Sequence, residues 1–163
     1  MAEIAGYHYA TIYNYFQDLP HLILQAAFQF HHRYYDNIQK SIKSDALPWE
    51  YYRTSCEAFI RFSMNNPNIF RCVFIDSYGD LALEEVLEVM RTSPLLASRS
   101  EAIGRLVAAG EIQPEKAERF DNAVTSLCVG NIVLNITLRW QISTEKLVTD
   151  ILQTIERLRR GGK

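Results

Sequence analysis

The residues of this chain that could do chemistry do not gather into a catalytic pattern. Four histidines, His8, His21, His31 and His32, stand in the first 32 residues, and none has a Glu three positions before it. The Glu-x-x-His spacing of a di-iron bundle is therefore absent. Asp18-Leu19-Pro20-His21 has a similar spacing, but an Asp ahead of a Pro reads as a helix cap and first turn. The three cysteines, Cys56, Cys72 and Cys128, are widely separated, with no Cys-x-x-Cys pair. Each lies in an apolar helical context and is expected to be a buried, reduced thiol. Glu84, Glu85 and Glu88 read as a solvated acidic face. No Ser sits in a nucleophile elbow and no glycine-rich loop could cradle phosphate. No enzyme activity, metal or cofactor is expected.

A denser signal lies at the start of the chain. Two short helical pieces flank Ala5-Gly6-Tyr7-His8, and Gly6 is free to take a left-handed turn conformation. The second piece, near 9–16, carries Tyr9, Thr11, Tyr13 and Tyr15, hydroxyls suited to phosphate oxygens or base edges. Four of the nine tyrosines fall in the first 16 residues. Ile12 and Phe16, four apart, can seat this helix on the next one. This is helix-turn-helix logic.

Here the chain resembles the TetR family of bacterial transcription regulators. Their pattern is Ile-Ala-x-x-Ala-Gly, a small or polar stretch, then Thr-(Leu/Ile)-Tyr-x-(His/Tyr)-Phe, followed by a Lys, an acidic pair and Leu. Met1-Ala2-Glu3-Ile4-Ala5-Gly6 matches the first part, with Met1 where Ile is usual. Thr11-Ile12-Tyr13-Asn14-Tyr15-Phe16 matches the second, and Leu22 matches the Leu that opens the long linking helix. The resemblance implies DNA contact by Tyr9, Ala10, Thr11, Tyr13, Asn14 and Tyr15 around a turn at Gly6. Tyr9 and Ala10 would face bases, and the hydroxyls of Thr11, Tyr13 and Tyr15 would meet phosphates.

It also implies two parts: residues 1–18 as a partial helix-turn-helix domain, and 19–163 as a ligand-binding and dimerisation domain. The implied partners are a second copy of the chain, operator DNA for the full-length form, and a small-molecule effector. The effector would shift the long helix starting near Leu19, and so the spacing of two recognition helices across major grooves about 34 Å apart.

Two departures from the family pattern carry expectations of their own. The family's first helix and the start of its second have no counterpart, roughly 30 residues at typical helix lengths. The chain is therefore expected to be shortened, by a misassigned start codon or by truncation. There is also no Lys or Arg before Arg33, and Leu19 stands where the family's Lys meets phosphate. Phosphate neutralisation supplies most non-specific DNA affinity, so this chain as given is expected to bind DNA weakly or not at all. The alternative is a dimeric all-helical module that binds a small molecule or a protein and never touches DNA.

The elements that must position these residues are helices. In 163 residues there are only seven Gly and five Pro, no Asn-Gly or Asp-Gly hairpin turn and no long alternating run. An apolar fraction of 48% and a charged fraction of 22% are those of a globular protein, and exclude a disordered acidic chain or a disulfide scaffold. The net charge of −2 selects no partner. No signal peptide is evident, and the most apolar stretch, 123–140, carries Asn131, Asn135 and Arg139, which makes it a poor membrane span. A soluble, cytoplasmic, all-α protein is expected.

Caps at Asp18, Ser93 and Ser143, first-turn prolines and left-handed stops at Gly79 and Gly110 predict helices near 9–16, 19–43, 48–65, 67–77, 80–91, 94–109, 114–140 and 143–160, the last with one apolar stripe of Leu147, Val148, Ile151, Leu152, Ile155 and Leu158. The last two are expected to pair with their mates in a dimer, through Phe120, Val124, Leu127, Asn131, Leu134, Leu138, Leu147, Ile151 and Ile155. The 114–140 segment is apolar around most of its circumference and is expected to be covered on several sides. The region from 34 to 110 is rich in aromatics. Tyr52, Phe59, Phe62, Phe70 and Phe74 are the expected lining of a pocket for an apolar or aromatic ligand, where the family resemblance also implies one.

Overall fold

A computed structural model describes residues 19–43, 45–76 and 81–161. The expected helix near 9–16, the turn at Gly6 and the DNA-contact residues Tyr9, Ala10, Thr11, Tyr13, Asn14 and Tyr15 lie outside the described residues, as does Gly79. Seven helices run through the described chain and no strand occurs among those residues. They are α1 (Leu19–Ser41), α2 (Pro48–Asn65), α3 (Pro67–Phe74), α4 (Leu83–Arg91), α5 (Pro94–Ala108), α6 (Pro114–Ile136) and α7 (Thr144–Gly161). The protein is all-α.

The punctuation acts largely as its chemistry dictates. Pro48, Pro67, Pro94 and Pro114 each open a helix, where a missing N–H costs nothing. Ser143 caps α7: its Oγ accepts the Lys146 backbone N–H at 3.3 Å. Gly110, at φ 71°, ends α5. The Glu111 N–H bonds the Leu106 carbonyl at 2.9 Å and the Gly110 N–H bonds that of Val107 at 3.0 Å, the paired bonds of a Schellman cap.

The helices expected over 67–77 and 80–91 are shorter, Pro67–Phe74 and Leu83–Arg91, and two end signals act differently from expectation. Ser93 precedes α5, but its hydroxyl makes no cap bond there and is held instead by the His31 ring. The helix expected to run to 140 stops at Ile136, because the chain turns left-handed at Leu138, φ 58°. The Arg139 N–H then reaches the Leu134 carbonyl and the Leu138 N–H that of Asn135, both at 3.0 Å. This repeats the cap after α5, with a leucine in the glycine position.

The core is organised around α2, which touches α1, α3, α5, α6 and α7. Within this chain the 114–140 segment is covered along one face. α6 contacts α2, α5 and α7, and its buried residues Phe120, Val124, Cys128, Ile132 and Asn135 form a single stripe. Asn135 is buried because its amide donates to the Ile142 carbonyl at 3.0 Å, which fastens the α6–α7 loop to the helix. The stripe of α7, Leu147, Val148, Ile151, Leu152 and Ile155, faces the same core. α4 is the least anchored element: none of its residues is buried, and His21 on α1 meets Glu85 on α4 at 2.7 Å. No helix among the described residues is long and apolar enough to cross a membrane.

Candidate functional site

A cavity of about 120 Å³ lies where α1, α2, α3, α5 and α6 converge. α2 contributes Tyr52, Ser55, Cys56 and Phe59, one face of the helix at spacings of three and four. α6 adds Asp121, Val124, Thr125, Cys128 and Val129, and α5 adds Leu95, Leu96, Ser98, Arg99 and Ala102. Ile38 of α1 and Phe74, the last residue of α3, complete the wall.

The electrostatics of this wall are those of a neutral interior. Burial pushes the Tyr52 phenol well above its usual range, and the Tyr52 ring packs on Phe120 with centroids 5.6 Å apart. The Cys56 thiol is likewise held well above its ordinary value, by its hydrogen bond with Cys128 and by burial. The Cys56 thiol and the Tyr52 phenol keep their protons at neutral pH, so they offer weak hydrogen bonds and no nucleophile. The one charged feature is an ion pair that joins α5 to α6. The Arg99 Nε–H donates to Asp121 Oδ1 at 2.9 Å, and its second nitrogen lies 2.6 Å from Oδ2. What this wall can do is enclose a small, uncharged, apolar molecule.

Three of the five expected pocket residues, Tyr52, Phe59 and Phe74, stand on the wall. Phe62 and Phe70 do not. Phe62 packs on Tyr34 with ring centroids 4.3 Å apart, and Phe70 is fully buried beside Phe59 and Phe74. Tyr34 is the centre of this aromatic cluster, and its hydroxyl and that of Ser63 lie 3.0 Å apart. Arg61 and Arg71 are both away from the cavity. Arg61 ties α2 to Glu145 of α7, and Arg71 is exposed beside Asp76.

Sequence reasoning missed Arg99, Asp121, Cys128 and Ile38. The ion pair joins residues 22 positions apart on different helices, so no local pattern announces it. Of the three cysteines expected to be buried, Cys128 is buried, whereas Cys56 and Cys72 are half-buried.

The residues assigned to a dimer interface divide into two groups. Phe120, Val124, Leu147, Ile151 and Ile155 belong to the chain's own core, so their burial needs no second subunit. These five side chains are placed inside a single chain. Leu127, Asn131 and Leu134 are half-buried on α6, and Leu138 is 74% exposed just beyond it, with Trp140 45% exposed two residues on. Compared with family models, curated proteins and solved structures, the chain matches none of them.

Proposed function

We propose that this chain is the sensor and dimerisation part of a TetR-like, ligand-responsive transcriptional regulator, a repressor whose effector occupies the five-helix cavity. The observation that carries the reading is that the cavity wall includes Ile38 of α1, the helix that directly follows the Thr11–Phe16 motif. An occupant in contact with α1 alters the free energy of that helix's position, and differential contact is what a ligand needs to shift a conformational equilibrium. The volume sets the effector class: cavities of about 150 Å³ lined by apolar side chains admit benzene, and drug-sized ligands need about 300 Å³ or more. The effector is thus a small neutral aromatic or aliphatic molecule.

The test is a gel shift with the DNA upstream of the gene, using this chain and an N-terminally extended one, with and without benzene or indole. A complex that weakens with salt and dissociates with compound is expected, at least for the extended chain. The Ala102→Leu chain, with its cavity filled, should keep the complex and lose the response. Absence of binding by both chains at low salt would sink the regulator reading. The absence of any Lys or Arg before Arg33 supports the second reading, a dimeric helical module that binds a small molecule without DNA. In that case both chains bind the compound and neither retards DNA.

A further inference from the structure

A second concavity, of about 620 Å³, lies on the opposite side of α2, where that helix runs antiparallel to α7. α2 presents Trp49, Arg53, Glu57 and Arg61, a row at four-residue spacing. α7 presents Glu145, Val148, Thr149, Leu152, Gln153, Glu156, Arg157 and Arg160. Every carboxylate in this groove is paired with an arginine, Glu57 and Glu145 sharing one. Glu145 and Glu57 are both held by Arg61, at 2.8 Å each, and Glu156 accepts from Arg159 and Arg160, also at 2.8 Å. Arg53 and Arg157 make no hydrogen bond or ion pair among the described residues. Arg53, in the first half of α2, and Arg157, in the second half of α7, thus bring two unpaired guanidinium groups to the Trp49 end of the groove. Beside them lie the partly buried indole of Trp49, itself stacked by Arg159 at 4.4 Å, and the apolar floor of Val148 and Leu152.

We propose that this end of the groove binds a small organic phosphate with a flat apolar body. Two unspent guanidinium groups match the charge of a phosphate monoester, about −1.5 to −2 at neutral pH, and their planar forks suit its oxygens. The indole edge and the Val148–Leu152 floor receive the apolar body. The volume falls within the range of small-molecule sites, about 300–1,000 Å³. The site is separate from the five-helix cavity and does not depend on the regulator reading.

Phenyl phosphate, inorganic phosphate and phenol are titrated into the whole chain by calorimetry at low ionic strength. Phenyl phosphate is expected to bind one-to-one and at least tenfold more tightly than either fragment. The Arg53→Ala/Arg157→Ala double variant is expected to weaken it at least tenfold with an unchanged melting temperature, since neither side chain supports the fold. Arg119→Ala, the loss of an exposed cation on α6, should leave binding unchanged. No saturable binding, equal binding by the double variant, or equal weakening by Arg119→Ala would each overturn the site. Binding of inorganic phosphate as tight as that of phenyl phosphate would also overturn it, as an adventitious anion only.

Discussion

His31 is the residue with most at stake in its surroundings. It is 4% exposed, its Nδ1 lies 2.6 Å from the Ser93 hydroxyl, and its Nε2 has no partner among the described residues. Burial, with a smaller contribution from His32, lowers its pKa from 6.5 to about 4. The unfolded chain thus takes up a proton near pH 6.5 that the folded chain refuses until about pH 4. Stability contributed by the neutral ring is complete above pH 6.5 and falls as pH drops toward 4, by up to about 3 kcal/mol. Urea unfolding of wild type and His31→Gln at pH 7, 5.5 and 4.5 checks this, and the variant should lose most of the slope. A wild-type stability flat across that window would contradict it. The sequence showed His31 only as one of a cluster of four. Its burial depends on Ser93 arriving from 62 positions away, which no local pattern encodes.

At the scale of elements, the cap after α6 is the informative departure. A leucine in left-handed conformation costs about 1–2 kcal/mol relative to the ordinary helical region, and here it also leaves a large apolar side chain exposed. Leu138→Gly is expected to raise the unfolding free energy by about 1 kcal/mol, read as a higher urea midpoint with an unchanged slope. A lower midpoint would mean that the side chain packs on something that stabilises the fold. The comparison with α5 is direct. There Gly110 was legible as a stop because glycine pays nothing at positive φ, whereas nothing in Leu138 marks a helix end. Apolar periodicity therefore ran the expected helix to 140. Prolines marked starts well for the opposite reason: their fixed φ and missing N–H are local properties that survive any tertiary setting.

At the scale of the molecule, the question is which surface a second copy would cover. With Phe120, Val124, Leu147, Ile151 and Ile155 spent inside the chain, Leu127, Asn131, Leu134 and Leu138 remain on the outer side of α6 and its cap. If the chain dimerises there, sedimentation should report a dimer. Leu134→Asp should then yield a monomer with an unchanged helical spectrum. A dimer that survives Leu134→Asp and Leu127→Asp together would place the interface elsewhere. The α7 stripe of Leu147, Ile151 and Ile155 was correctly legible as a buried face, because a spacing of three and four fixes which residues share a side. Periodicity cannot name what covers that side, and here α2 and α6 of the same chain do.

The sequence by itself determined the all-α class, the proline-led starts of the helices, the Ser143 and Gly110 caps and the inward face of α7. Each follows from local steric or hydrogen-bonding rules, or from a period that a single helix imposes. Only the tertiary structure decided that α2 rather than α6 is the central helix, and that Tyr52, Phe59 and Phe74 line a cavity while Phe70 fills the core and Phe62 packs half-buried on Tyr34. It alone brought Arg99 to Asp121, His31 to Ser93, and Arg53 to the same groove as Arg157. The physical reason is common to all of these. They are contacts between residues distant in the chain, set by how apolar faces pack to exclude water and voids, and a one-dimensional pattern records the faces but not their partners.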